Sequence, residues 1–312
     1  MAQYKTSSPC LIITSLFLVF VLSHLLADFT FQTDNMAKYK GEKIELKSCK
    51  KNCEKIMSLL SHIAVHIVIL IFLFYIITKL DTEYIKEDSA IIIQISLIIL
   101  CGHLLVDGFK FLLKCKDLSL FLLDQIIHVI IIYFAIISIL NKKIDSFMNI
   151  NLYNKYSVLF ADKVMLTLII FLMGTYFAAY FIQLYLRPNL PPKIIGESQI
   201  TVKENFLLTD EPHKGMLINS FNGEIKTNIH KRDNSSLSFG IKIGLVERAL
   251  IILLVSTSNY VTIAVIIALK TLTRFKMIEQ SKDFGEYYLM GNLLSLMFSI
   301  PSGVLIKLIL NL

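Results

Sequence analysis

The sequence predicts an all-α polytopic membrane protein of about seven transmembrane helices, the first four forming a bundle lined by His and Asp. Three observations predict it. Of 312 residues, 55% are hydrophobic, with 21 Phe and no Trp, and the mean hydropathy of +0.64 lies far above that of a soluble enzyme. Apolar runs long enough to cross a hydrocarbon core of about 30 Å recur along the chain. Inside the first four of those runs, ionisable residues come in pairs at one fixed spacing.

The apolar runs fall at 10–31, 56–78, 89–112, 118–140, 163–186, 245–268 and 286–310. The first has no small-residue cleavage signature and continues directly into "SHLLADFTFQ", so it reads as a membrane helix and not as a cleaved leader. This divides the chain into a four-helix membrane domain (1–140), a fifth helix with its preceding loop (141–186), a polar cytoplasmic segment (187–242) and C-terminal membrane helices (243–312). The polar segment opens with "RPNLPPK", whose prolines stop a helix. Short alternating runs around Asn222-Gly223 predict a small hairpin there, with His213 and His230 as solvated loop residues.

The net charge of +7 comes with no nucleic-acid recognition motif, so nucleic acid is not an expected partner. In a membrane protein, surplus Lys and Arg mark cytoplasmic loops. The stretches 33–55, 109–117 and 187–242 carry 18 Lys and Arg together, and the stretches on the opposite side of an alternating topology carry 11. The N-terminus is therefore expected outside. Residues 269–285 fit this bias poorly, and an interfacial or re-entrant helix is the alternative for them. Five cysteines give no disulfide framework. Cys49 and Cys53 read as reduced cytosolic thiols; Cys10, Cys101 and Cys115 read as packing residues.

The four pairs are His24-x3-Asp28, His62-x3-His66, His103-x3-Asp107 and Asp124-x3-His128. Spacing of i,i+4 puts both members of each on one helix face. With the orientation above, all eight lie one to two turns inside the cytoplasmic surface. Ionisable groups in a bilayer are costly and face the bundle interior, where they mark function. Eight at one level call for a cation among them. Imidazole and carboxylate together suit a divalent transition metal: zinc first, manganese or iron as alternatives. Eight donors exceed one tetrahedral shell, so two ions are the natural count, as in helical bundles that carry ligand pairs a turn apart. Some of the eight could instead orient the ligands. Haem is disfavoured, because three pairs contain Asp.

Gln32 and Gln125 are expected to orient ligands or hydrogen-bond a substrate, with capping and interface solvation as the alternative, and Lys110 either to meet a substrate phosphate or to snorkel. A second polar set lies toward the C-terminus. In "GLVERALI", "ALKTLTRF" and "DFGEYYLMGNLLS" it comprises Glu247, Arg248, Lys270, Arg274 and Glu286. It reads as structural pairing between helices, Glu286 with Lys270 or Arg274 for example, with substrate binding as the alternative.

The stretches "HLLADFTFQTDNMAKYK", "SHIAVH", "GHLLVDGFK" and "LDQIIH" resemble the bacterial membrane proteins grouped as domain of unknown function 3307. The C-terminal motifs resemble the region that accompanies that domain in longer members. The ligand style is loosely similar to inner-membrane proteins of the YdjM type, described as metal-dependent hydrolases. The resemblance implies a multi-pass protein of the bacterial inner membrane. The expected activity is metal-dependent hydrolysis, with Asp28, Asp107 or Asp124 as general base and a lipid or phosphoester substrate near the cytoplasmic leaflet. A divalent metal-ion transporter, or a scaffold or sensor with a structural metal, is the alternative. Oligomeric state is not readable from the sequence.

Overall fold

The computed structural model describes residues 9–32, 49–80, 89–110, 117–144, 160–186 and 235–311. The expected hairpin at Asn222-Gly223, the loop histidines and Cys115 lie outside them, as does the side chain of Lys110. Every described element is helical. Helix α1 is Pro9–Leu25 and runs on into a π-helical turn, Leu26–Thr30. It is followed by α2 (Cys49–Leu80), α3 (Ser89–Lys110), α4 (Leu118–Ile144), α5 (Phe160–Leu186, with a π-helical turn at Met173–Phe177), α6 (Ser235–Ser256), α7 (Tyr260–Gln280) and α8 (Lys282–Asn311). Helices α1 to α5 and α8 are long and apolar enough to cross a membrane.

The first four helices close a ring, each packed on the next and α4 returning to α1. Their contact faces carry Val19, Leu22, Ile95, Ile132 and Ile136, all essentially inaccessible. Their outer faces are also apolar: Val68, Leu105 and Phe134 are at least 63% exposed. An apolar exterior over this length matches lipid as the surrounding solvent. Hydroxyls inside the helices bond their own backbone, as Ser96 does to Ile92 O (2.7 Å) and Thr175 to Phe171 O (2.6 Å), which satisfies them where water is absent.

Helix α5 lies against α1 and runs parallel to it. Ser15 near the start of α1 donates to Asp162 near the start of α5 (2.9 Å), and the two π-helical turns meet at their other ends through Phe29, whose ring sits 5.8 Å from that of Phe177. The far side of α5 packs on α6 and α8. There the backbones come close. A Cβ on Gly303 would stand 2.6 Å from Val255 Cβ and 2.9 Å from the carbonyl oxygen of Ile252. Gly303→Ala is expected to cost about 1–3 kcal/mol, as overpacking of a filled core does, seen as a thermal midpoint several degrees lower in detergent with metal content unchanged.

The expected sixth span, 245–268, is not one helix. The run Ser256-Thr257-Ser258-Asn259 interrupts it, with Ser258 at φ +62°. Hydroxyl and amide side chains here compete with the helical ladder: Thr257 Oγ1 bonds the carbonyls of Leu253 and Leu254, and Thr262 Oγ1 donates to Asn259 Oδ1. Helix α7 then folds back along α6, so that Lys270 Nζ meets Glu247 on α6 and Asn292 Oδ1 on α8. The end of α6 is level with Gly303, eight residues or about 12 Å short of the end of α8. Thus α6 and α7 form a hairpin that enters and leaves on one side, the side of the α1–α2 loop. Its return carries the four basic residues of 269–285 to that side. With these four counted there, the expected topology has 22 Lys and Arg against 7, in line with the charge rule.

Candidate metal centre

The four pairs meet inside the α1–α4 ring, and none of the eight residues is more than 9% exposed. Helices α1 and α3 run toward the loop side and carry His before Asp; α4 runs away from it and carries Asp before His. Antiparallel packing therefore sorts the side chains into two layers one turn apart. The deep layer is His24, His66, His103 and His128. The layer nearer the loops is Asp28, His62, Asp107 and Asp124. Helix α2 starts at Cys49, so His62 lies well inside it and not near its first turn as the run 56–78 implied. The reversed order of the fourth pair was the sequence signal for the layers.

Asp28 sits in the π-helical turn of α1, where Phe31 N bonds Leu26 O (3.0 Å), an i→i+5 closure. The extra residue per turn swings the carboxylate inward; such insertions recur at functional sites. Asp28 Oδ1 lies 3.0 Å from His66 Nε2, 3.1 Å from His62 Nε2 and 3.7 Å from His103 Nε2. His62 Nε2 is also 3.1 Å from both His66 Nε2 and His103 Nε2. A ring nitrogen carries one hydrogen or one lone pair. His62 Nε2 therefore cannot satisfy three such neighbours by hydrogen bonding. The same separations are what a shared ion produces: with donors about 2.0–2.1 Å from a metal, the donor–donor edge is about 2.9 Å in an octahedron and about 3.3 Å in a tetrahedron.

Beside this cage, Asp107 Oδ2 is 3.3 Å from His103 Nε2 and 3.5 Å from His62 Nε2. Three groups with ligand atoms within 4.8 Å of one another form a chain: His24, Asp28, His66 and His103; then His62, His103 and Asp107; then Asp107, Asp124 and His128. His103 links the first two and Asp107 the last two. His128 donates from Nδ1 to the carbonyl oxygen of Asp124 (2.8 Å). That bond fixes the tautomer and turns the lone pair of Nε2 inward, and this buried atom has no hydrogen-bond partner among the described residues. The donor set fits divalent transition metal.

Gln125 ties the groups together. Its Oε1 accepts from His24 Nε2 (3.3 Å) and its Nε2 donates to Asp124 Oδ2 (3.0 Å). Gln32 lies just past the π-helical turn of α1 and is half-buried. Lys110 is the last residue of α3. Below the deep layer lies a cavity of about 20 Å3 bounded by Phe20, Ser23, Leu70, Ile99 and Ile132 and roofed by the four deep histidines. That volume holds about one water and no hydrocarbon chain.

The C-terminal polar residues stand apart from the centre. Glu247 pairs with Lys270 at 2.5 Å, and Arg248 Nε donates to the carbonyl oxygen of Thr175 in the second π-helical turn (3.2 Å). The expected pairing of Glu286 with Lys270 or Arg274 does not form. Glu286 is exposed and faces Lys282 of its own helix at 3.8 Å, because the α6–α7 hairpin places Lys270 a turn and a half deeper, beside Asn292. The sequence reading also passed over Lys55, which is 2% exposed on α2. Its spacing of seven from His62 puts it on the same face, and that was the available signal.

Residues 16–161, which hold all four pairs, match the family described as protein of unknown function (DUF3307). No curated protein and no solved structure matches the chain.

Proposed function

We propose that the chain is a metal-dependent hydrolase of the bacterial inner membrane, holding two divalent ions, zinc first, between α1, α2, α3 and α4. One observation carries this reading: the interlocked donor groups, joined through His103 and Asp107, offer more ligand atoms than one ion takes, which supports two neighbouring ions around shared residues. When bound, such a pair supplies Lewis acidity and a water of lowered pKa. His62, His66, His103 and Asp28 would hold one ion, Asp107, Asp124 and His128 the other, with His24 completing the deep layer.

The residues of the chain divide the remaining work by layer. The carboxylate layer faces the loops, so a phosphate or ester group arrives from that side. The deep cavity is too small for an acyl chain, which keeps hydrocarbon out and leaves room for a water. Gln125 fixes one oxygen of Asp124 at 3.0 Å and relates it to His24, which leaves the other oxygen of Asp124 for the ion. The substrate class is a lipid-linked or soluble phosphoester.

The test is metal content by plasma mass spectrometry on detergent-purified protein, together with turnover of a phosphodiester panel. Wild type is expected to hold two transition-metal ions and to lose turnover with chelator. Asp28→Ala with His103→Ala is expected to lose both. A well-folded wild type without metal refutes the proposal, and ion flux in proteoliposomes without turnover would replace it with transport.

A further inference from the structure

We propose that a second copy of this chain packs on the α6–α7 hairpin, turn against turn, around a two-fold axis along the membrane normal. The observation behind it is a polar turn at a depth where lipid cannot satisfy it. Gly174 stands at the middle of α5, fourteen residues after Phe160 and twelve before Leu186. A Cβ on it would touch Ile252 on α6 and Ser302 on α8, so these residues share that level. Ser256 ends α6 one turn beyond Ile252, about 6 Å from the midpoint. Half of a hydrocarbon core is about 15 Å thick. The turn Ser256-Thr257-Ser258-Asn259 therefore lies within hydrocarbon and not at its surface. Yet Thr257, Ser258 and Asn259 are exposed. Asn259 engages through Oδ1 alone, which accepts from Thr262. Its amide hydrogens and the Ser258 hydroxyl have no hydrogen-bond partner among the described residues, and no side chain caps the first turn of α7. Irregular backbone at membrane depth occurs where protein covers it or where it lines water, because unmet polar groups in hydrocarbon are costly.

A second copy is the cover that fits. A two-fold axis along the normal brings the same residues of both chains together at the same depth. Hydroxyl and carboxamide groups each donate and accept, so this turn complements itself, and such bonds between helices hold membrane proteins together. The neighbouring surface agrees. Helix α7 packs inward on α6 and α8 through Ile263 and Lys270. Its opposite face, continuous with the turn, carries Val261, Val265 and Leu272, which are 79%, 51% and 70% exposed. The paired surface is thus a polar contact at the turn followed by an apolar contact along α7. It is remote from the four-helix ring, so it stands or falls separately from the metal centre.

The experiment uses the full chain, first in its membrane and then in dodecyl maltoside. Ser258→Cys is oxidised in the membrane with copper phenanthroline and is expected to give a chain linked to its own copy. Wild type, whose Cys53 and Cys101 are free and exposed, sets the background. In detergent, light scattering is expected to find two chains of 35.6 kDa per particle. Val261→Trp with Val265→Trp offers lipid more apolar surface but overfills a packed helix pair. It is expected to raise the dissociation constant of the pair about tenfold or more, with metal content unchanged. If that variant does not fold, the Ser258→Cys link decides. No link above background, a link to a different protein, or one chain per particle in wild type overturns the proposal. So does a folded Trp variant that pairs as wild type does. Labelling of the Ser258→Cys thiol by a membrane-impermeant maleimide on intact cells also overturns it, since the turn would then line water.

Discussion

His103→Ala is expected to empty the centre more completely than any other single histidine substitution. His103 belongs to two of the three donor groups, and its Nε2 lies 3.1 Å from His62, 3.3 Å from Asp107 and 3.7 Å from Asp28. Loss of an outer partner of a metal ligand alone costs ten- to a hundredfold in affinity. Removing a donor shared by both positions should cost at least about a hundredfold for each. His128→Ala touches one group only and should leave one ion in place. Metal content per chain for the two variants, measured at equal folded yield, checks this: below one ion for His103→Ala and about one for His128→Ala. Equal loss in both would mean that the donors form one site.

Glu247→Leu should be the most damaging substitution in the C-terminal half. It strips the only carboxylate ion-paired to Lys270 among the described residues and leaves the Lys270 ammonium uncompensated inside the α6–α7–α8 packing. Breaking a buried pair from one side costs about 3–5 kcal/mol. Lys270 retains 26% exposure, which places the expected cost near the lower end, about 3 kcal/mol. Glu247→Leu with Lys270→Leu should recover most of it, because replacing both partners by apolar groups removes the uncompensated charge. Thermal midpoints of the two single variants and the double variant close the cycle. A double variant no better than Glu247→Leu would show that the pair does not couple.

Much of the centre was legible because its geometry is local to each helix. A spacing of four fixes two side chains to one face whatever surrounds them, so each pair could be read from its own five residues. Even the two layers were written in the chain: Asp follows His on α1 and α3 and precedes it on α4, as opposite helix directions require. What could not be read were the contacts between chain segments. Gln125 stands next to Asp124, yet its bond to His24 joins residues 101 positions apart. Arg248 and Glu247 are adjacent in sequence, yet Arg248 bonds Thr175 on α5 and Glu247 pairs with Lys270, which depended on where α7 turned back.

By itself the sequence determined the class of the protein, the lipid surroundings and the inward face of the eight paired His and Asp residues, because hydropathy and helical periodicity are properties of short stretches. Tertiary structure decided the rest. It bent 245–268 into a hairpin, since four consecutive polar residues bonded locally and ended the helix at Ser256. It gave α7 back to the side of the basic loops. It drew three imidazoles and a carboxylate to separations of 3.0–3.7 Å, which only the closing of four helices around a common axis can produce. Distances of that kind arise from packing between distant segments, and no local propensity encodes them.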